Sequence, residues 1–294
     1  MKDRTLLSDL LLLVVTLLAA SGWIFSKEAL QGMSPLWFLG IRFFSAGCLL
    51  GALCIPQLKA MTRRQWRQAL WMGLLFALAL MLWVHGLFFS THVGEGAFIT
   101  SLGVVLVPVV ARLAFGDATE GSTWVALPLA VGGLACLSLR HGFRFEPSQA
   151  FFCGAALLFA LHFNLISRAL AQIPAFALTT IQLTMVGSVA LLAAAVSEGP
   201  LQVDATAVWG WLVASILLAS SARFLIQAYA QSMASASHAA IIMILEPLWA
   251  SIMAAVWFAE QMSLQQLAGC SLIFLALLVN RWRAIRQLLR SLLR

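Results

Sequence analysis

Residues 97–117 read AFITSLGVVLVPVVARLAFGD, and residues 240–260 read AIIMILEPLWASIMAAVWFAE. The two stretches align without a gap. Each closes with a small residue and a carboxylate, Gly116-Asp117 in one and Ala259-Glu260 in the other. Either run is long enough to cross a bilayer core, which takes roughly 20 helical residues. A second correspondence lies upstream, where Ser34-Pro35-Leu36 opens one apolar run and Pro174-Ala175-Phe176 opens another. The spacing indicates a chain built twice from one plan.

Working outward, hydrophobic runs bounded by charge, Gly and Pro fall at 8–27, 35–55, 66–89, 94–116, 122–140, 147–170, 175–197, 206–230, 237–259 and 263–282. They are uniformly apolar, whereas membrane-barrel strands alternate apolar and polar residues over ~10 positions. The composition agrees. Of 294 residues, 62% are hydrophobic and 10% charged, far from the soluble mean of about half apolar and about a quarter charged. An ordinary soluble globule and a disordered chain are both excluded, and ten spans leave no loop large enough to fold alone. The fold expected is all-α integral membrane: ten transmembrane helices as two inverted five-helix repeats, 1–145 and 146–294, around a central cavity. The inversion follows from arithmetic, since an odd number of spans per half turns the second half upside down.

Lys and Arg orient the bundle. With the N-terminus inside, the inner side carries Lys2, Arg4, Lys59, Arg63, Arg64, Arg67, Arg112, Arg168, Arg281, Arg283, Arg286, Arg290 and Arg294, and the outer side only Lys27, Arg140 and Arg144. Both termini are expected in the cytoplasm, with the protein in a bacterial inner membrane. This topology accounts for the net charge of +7, so nucleic acid is not an expected partner. Ala19-Ala20-Ser21 after a basic start mimics a signal-peptide cleavage site, but the even span count favours a retained first helix. The five cysteines (Cys48, Cys54, Cys136, Cys153, Cys270) lie in apolar runs without a CxxC pair, as buried small hydrophobes do. No metal or cofactor is implied.

Charges inside the runs are the functional candidates, because each costs ~2.5–3.5 kcal/mol at a membrane helix centre. Glu246 precedes Pro247 near the middle of the ninth span. It reads either as a substrate-amine or proton site, or as a neutral group at a structural kink that frees backbone carbonyls. As the only carboxylate placed deep in the apolar interior, it is the route expected for any proton coupling. Arg42 shares a helical face with Ser45, Ala46 and Leu49; it can meet a substrate carboxylate, pair with Glu246, or snorkel outward. Arg223 stands beside Ser220 and Ser221. His85 and His162 read as cavity residues or as inter-helix contacts. Asn164 lies ~200° around the helix from His162, so only one of the two is expected to line a cavity. In the seventh span Thr179 and Gln182 form one polar stripe, and Thr180, Thr184, Gly187 and Ser188 a second, together broad enough to line water. Trp23, Trp83 and Trp249 lie deeper than the other tryptophans and can stack on an aromatic or cationic substrate or on neighbouring helices. Gly96, Thr100 and Gly103 share one face of the fourth span; Gly40, Gly47 and Gly51 share one of the second. Such faces serve close packing or form a smooth wall for a sliding helix.

These residues carry a family resemblance. Gly22-Trp23 through Lys27, Arg42-Phe43, Pro108 with Phe115-Gly116-Asp117, and Glu246-Pro247 with Ala259-Glu260 together resemble the drug/metabolite transporter superfamily, specifically its ten-helix EamA-type exporters. The resemblance covers nearly the whole chain as two tandem units. It implies a carrier that moves small metabolites, amino acids or drugs outward, with helices 1–4 and 6–9 around the cavity and helices 5 and 10 at the periphery. The chain is most similar to bacterial amino-acid exporters, including the aromatic amino-acid type. One departure stands out: Gly116-Asp117 replaces the Gly-Glu followed by a basic residue that the family often carries, which leaves the loop contact there open.

The expected function is therefore secondary transport by alternating access, with a small-molecule substrate such as an amino acid, membrane lipid and protons as partners. A multidrug or other metabolite carrier of the same superfamily is the alternative. An integral-membrane enzyme is a second class, but HExxH, GxSxG and P-loop motifs are all absent from the sequence. A channel would need a selectivity filter or charged rings, neither of which is visible.

Overall fold

The computed structural model describes residues 2–118, 121–138, 146–170, 172–203, 205–233, 242–280, 282 and 285–286. These residues form helices and short connections, with no strand among them. The chain runs α1 (Lys2–Ala29), α2 (Pro35–Leu53), the short α3 (Ile55–Lys59), α4 (Arg63–Phe89), α5 (Val93–Phe115) and α6 (Gly121–Ser138). It continues with α7 (Pro147–Ala169), α8 (Ala175–Ser197), α9 (Thr206–Ala214), a π-helical stretch Ser215–Ala222, α10 (Arg223–Met233), α11 (Glu246–Trp257) and α12 (Leu264–Asn280). Among the described residues, seven segments are long and apolar enough to cross a membrane, the π-interrupted Thr206–Gln227 among them; Gly121–Cys136 and Leu264–Asn280 are shorter apolar helices. The junction between the expected halves at 145/146, the start of the ninth run at 237–241, and Arg140, Arg144, Arg281, Arg283, Arg290 and Arg294 touch or lie within stretches outside the described residues.

Helix ends follow local chemistry. Thr62 and Gln65 form a capping box at α4: the Gln65 N–H donates to Thr62 Oγ1 (3.3 Å) and the Thr62 N–H to Gln65 Oε1 (2.8 Å). Pro35, Pro56, Pro147 and Pro247 each occupy the first turn of a helix, where no N–H is needed. Gly116 ends α5 at φ 73°, a left-handed conformation that favours glycine, and its N–H returns to Arg112 O.

Side chains at the lipid-facing surface remain apolar and bare; Val196 is 90% exposed and Leu113 82%. Inside, α2 packs along α8, α6 along α12, and α5 against α11; α7 packs on α4 and α5, α4 also on α8, and α1 on the α9–α11 region. Glycine allows the closest of these crossings. A Cβ at Gly187 would fall 2.5 Å from Phe44 Cα, one at Gly40 2.9 Å from Leu191 N, and one at Gly47 2.7 Å from Thr184 N. Gly96 abuts the Phe152 ring and Gly103 the Ala156 carbonyl. The polar stripe Thr180–Thr184–Gly187 accordingly lies against α2 (Thr180 Oγ1 is 3.2 Å from Cys54 Sγ) rather than lining water as expected.

Candidate functional site

Two backbone irregularities meet inside the bundle. The π-helical stretch Ser215–Ala222 hands over to α10 at Arg223. Across from it, Ile244 and Leu245 interrupt the ninth run as a turn, and α11 begins at Glu246. Pro247 was expected to kink a continuous helix; it instead occupies the first turn of a new one. The physical reason is that its missing N–H and fixed φ suit a helix start better than an interior. Glu246 thus sits at a helix N-terminus, where the macrodipole favours an anion. Irregular backbone at membrane depth is tolerated where it is buried in protein or lines a cavity, and π-bulges are frequent at functional sites.

Arg223 and Glu246 face each other across this junction, with NH2 3.7 Å from Oε2. That is a charge pair without a close hydrogen bond, since N⁺–H···O⁻ bonds run about 2.7–2.9 Å. Trp23 Nε1 approaches Glu246 Oε1 at 3.5 Å, and its ring stands edge-on to Trp83, with centroids 5.0 Å apart. Four buried polar atoms on the same two segments have no hydrogen-bond partner among the described residues: Arg223 Nε, Ser221 Oγ, Gln227 Oε1 and Trp249 Nε1. Gln227 is four residues beyond Arg223 and Trp249 three beyond Glu246, spacings that place each on its neighbour's helical face.

Arg42 behaves differently from the expected pairing with Glu246. It is 6% exposed and does not snorkel. Nε donates to Ser220 Oγ at 2.9 Å and NH1 to Ser26 Oγ at 2.7 Å, with the guanidinium 5.0 Å from the Phe43 ring centroid. Glu246 stands instead opposite Arg223, the first residue of α10. Along the expected face of α2, Ala46 is buried but Leu49 is exposed.

The remaining candidates lie elsewhere. His162 is buried and stacked on Phe76 at 4.3 Å, its Nε2 without a partner among the described residues. Asn164 is buried too, donating to Val107 O and Ala160 O, both at 2.9 Å. Both are enclosed because α7 packs against α4 and α5. Gln182 is buried near Gly73 with Nε2 unpartnered among the described residues, as is the Thr100 hydroxyl. His85 lies apart, bonded to Met81 O and stacked on Phe151.

Sequence reasoning missed a second buried carboxylate. Glu95, in the first turn of α5, is 9% exposed; its oxygens accept from Gln149 Nε2 (2.6 Å) and Gln266 Nε2 (3.2 Å), tying α5 to α7 and α12. It lines a cavity of about 10 Å³ with His92, Glu146 and Phe152. Glu246 is therefore not the only interior carboxylate. The missed signal was the pair of glutamines opening α7 and α12, each one turn into its helix.

The same end of the bundle is fastened by three more charges. Glu198 accepts the N–H groups of Leu36 (2.9 Å) and Trp37 (3.2 Å), capping α2. Glu260 accepts from Val93 (2.8 Å) and Gly94 (3.4 Å), capping α5. Lys27 Nζ donates to the Leu87 carbonyl (2.9 Å) and to Ser90 O at the end of α4. At the opposite, basic end, Asp117 finds its cation at long range, Arg168 at 2.5 Å, which also lies 4.2 Å from the Phe115 ring centroid. The loop contact left open by the Gly-Asp departure is made, with α7 supplying the base.

Comparisons with known proteins bear on this architecture. The model of the EamA-like transporter family matches residues 6–139 and again 147–282. An "Uncharacterized transporter" of Archaeoglobus fulgidus is 28% identical over 282 residues, covering 94% of this chain and 86% of that protein. A solved structure titled only "Crystal structure of protein" superposes with a TM-score of 0.67 at 15% identity, covering 95% of this chain and 98% of that one. That likeness establishes the fold alone.

Proposed function

The chain belongs to the EamA-like transporter family and is a multi-pass membrane transporter of the drug/metabolite superfamily; from that premise we propose that it exports amino acids, aromatic ones included, by alternating access of two inverted five-helix halves, each led by one of the two family-matched segments. Support for the inversion comes from packing. Exchanging α1, α2, α4, α5 and α6 for α7, α8, the α9–α10 segment, α11 and α12 leaves the pairs α2–α8, α6–α12 and α5–α11 unchanged. The same exchange converts α4–α7 into α1 against α9–α10, and α5–α7 into α1–α11, both of which exist. Discontinuous helices near the midplane of such repeats hold substrates in secondary transporters.

One observation carries the substrate class: a cation and an anion, Arg223 and Glu246, face each other across the meeting of the two irregular segments, with Trp23 beside them. Both ends of an amino acid find a counter-charge there, and an aromatic side chain finds rings. In this reading the end fastened by Glu198, Glu260 and Lys27 is the outer one, both termini are cytoplasmic, and the membrane is a bacterial inner membrane.

Reconstitution into liposomes, with counterflow tested for a panel of amino acids and of cationic drugs, separates the readings. Saturable counterflow of amino acids supports export of this class; counterflow of the drugs alone selects the multidrug alternative. The rocking itself is tested by cysteines at positions 28 and 257, where Trp257 Nε1 now donates to Glu28 Oε1 at 2.7 Å, in a background lacking the five native cysteines. Crosslinking is expected to stop counterflow and reductant to restore it. Full activity in the linked form sinks alternating access at this end.

A further inference from the structure

Three features of the Arg223–Glu246 junction remain unexplained by structural roles. The pair is separated by 3.7 Å, beyond hydrogen-bond length, although both groups are partly enclosed, with side chains 22% and 26% exposed. Two donors on the same segments, Arg223 Nε and Trp249 Nε1, have no acceptor among the described residues. Two oxygens, Gln227 Oε1 and Ser221 Oγ, have no partner either. Buried polar groups are nearly always satisfied, so a set of orphans around one loose ion pair needs an account.

The orphans divide by chemistry. Arg223 Nε, the Arg223 NH2 group and Trp249 Nε1 are donors only and match a carboxylate. Glu246 and the Gln227 and Ser221 oxygens are acceptors, Ser221 also able to donate, and match an ammonium. Arg42 contrasts with them, because its Nε and NH1 are already engaged by Ser220 and Ser26; a ring beside the guanidinium is common to both arginines, Phe43 at 5.0 Å for Arg42 and Phe224 at 4.9 Å for Arg223. Its bonds to Ser26 in α1 and Ser220 in the π-helical stretch fix the segment that precedes Arg223.

We infer that the two ends of a zwitterionic substrate are read by two separate sets of groups, each drawn from both segments: the carboxylate by Arg223 of α10 with Trp249 of α11, the ammonium by Glu246 of α11 with Gln227 of α10 and Ser221 of the π-helical stretch, while Arg42 acts as a positioning residue that touches no substrate. This rests on the amino-acid reading above and goes beyond it, because it requires a substrate to carry both charges. Entry of the zwitterion replaces one loose pair with two hydrogen-bonded ones, so a molecule bearing only an amine leaves Arg223 and its orphans unmatched. Sites that lose a hydrogen-bonded partner in this way discriminate strongly.

The test is competition in proteoliposomes. Uptake of a labelled amino acid by counterflow is measured against the unlabelled amino acid, its amide (no carboxylate) and its N-acetyl derivative (no ammonium). The wild-type protein should prefer the zwitterion by about tenfold or more over each. Arg223→Gln should collapse the acid-to-amide preference toward unity while keeping much of the preference for a free amine. Glu246→Gln should do the reverse, and Arg223→Lys should restore part of the acid preference. Arg42→Gln should lower the rate while leaving both preferences at their wild-type values. Binding of the same competitors to detergent-solubilised protein gives the preferences for any variant too slow to transport. Unchanged preferences in Arg223→Gln, or collapse of the acid preference in Arg42→Gln, overturn the assignment. Wild-type counterflow of amines as readily as amino acids overturns it and leaves the transporter reading standing. Absence of amino-acid counterflow altogether removes the amino-acid reading, and this assignment with it.

Discussion

Substitution of Gly187 by alanine asks whether the α2–α8 crossing is the backbone-to-backbone contact described above. The new Cβ lands 2.5 Å from Phe44 Cα and 2.6 Å from Phe44 Cβ, against an ordinary contact distance of at least 3.4 Å. Because the neighbour is helical backbone, with Phe44 N nearer still, relief requires the two helices to separate locally by at least about 0.9 Å, the difference between 3.4 and 2.5 Å at Phe44 Cα. A radial gap of 0.5–1 Å already forfeits roughly a quarter to a half of each dispersion well along the seam, and overpacking of this kind costs about 1–3 kcal/mol. Alanine's better helix propensity returns about 0.5–1 kcal/mol, so a net loss of about 1 kcal/mol, and no more than about 2.5 kcal/mol, is expected. The control is Gly210→Ala in α9, where nothing stands within 4 Å, and propensity alone predicts a gain of about 0.5–1 kcal/mol. Gly47→Ala should resemble Gly187→Ala, since its Cβ meets the Thr184 backbone; Gly51→Ala, 3.3 Å from a single Thr180 methyl, should be near neutral. Equilibrium unfolding of the detergent-solubilised variants, with counterflow on the same preparations, reads both stability and transport. If Gly187→Ala is as stable as Gly210→Ala, the backbones are not in contact. If it keeps its stability and loses only transport, the glycine face is a sliding wall and the packing explanation falls.

Three other outcomes are expected. Glu260→Ala and Glu198→Ala each remove the carboxylate that caps a helix of the other half, and each should lower unfolding stability by about 1 kcal/mol; unchanged midpoints would show that water caps α5 and α2 equally well. Asp117→Asn breaks a pair whose side chains are 47% and 49% exposed, so its cost should stay below about 1 kcal/mol at low salt and shrink at high salt; a larger, salt-insensitive loss would contradict a surface pair. Glu95→Gln sets an NH2 group against the amide donors of Gln149 and Gln266; leaving a buried donor unmatched should cost about 1–3 kcal/mol, and neutral unfolding data would mean that these amides find other acceptors.

How far the sequence carried varies with the kind of feature. The long helices overlap the apolar runs because hydrophobic length and Gly/Pro punctuation are strong local signals, although α1 and α4 begin earlier, at Lys2 and Arg63, and the short α3 falls between runs; the pair Gly116-Asp117 marked the end of α5 correctly. What escaped were properties of two segments at once. The π-helical stretch leaves no mark in a run as uniform as Ser215–Ala222. The break before Glu246 was read as a kink because Pro247 alone does not say whether the chain resumes as the same helix. Glu95 was passed over because its first-turn position resembles an interfacial residue; burial there depends on Gln149 and Gln266, 54 and 171 residues away. Arg42 was offered three roles, and the partners it has, Ser26 and Ser220, were not among them. A serine in an apolar run is too common to single out.

Inverted halves alone would give a path with the same chemistry from both sides, and this chain departs from that. Arg42 is the eighth residue of α2 and Gln182 the eighth of α8, so the proposed exchange of halves carries one position onto the other. One holds a cation bonded to α1 and the π-helical stretch; the other holds a neutral amide, buried near Gly73 with its nitrogen unpartnered among the described residues. The charges Arg42, Arg223 and Glu246 therefore gather beside α1, whereas the counterpart region beside α7 carries His162 and Gln182. Under the proposed alternating access of a zwitterion, such asymmetry would give the substrate different affinities in the two access states, and hence different half-saturation from the two faces of the membrane. It does not by itself drive net export, because a ligand shifts an equilibrium only by its differential affinity for the two states, and around a closed transport cycle those differences cancel. Uphill export needs a second gradient, which is why the two interior carboxylates, Glu246 at the junction and Glu95 near the fastened end, are the groups to compare in counterflow with and without an imposed pH difference. If proton coupling uses Glu246 alone, Glu95→Gln leaves the response to the pH difference intact and Glu246→Gln abolishes it. The opposite pattern moves the coupling step to the α5–α7–α12 contact, away from the substrate charges.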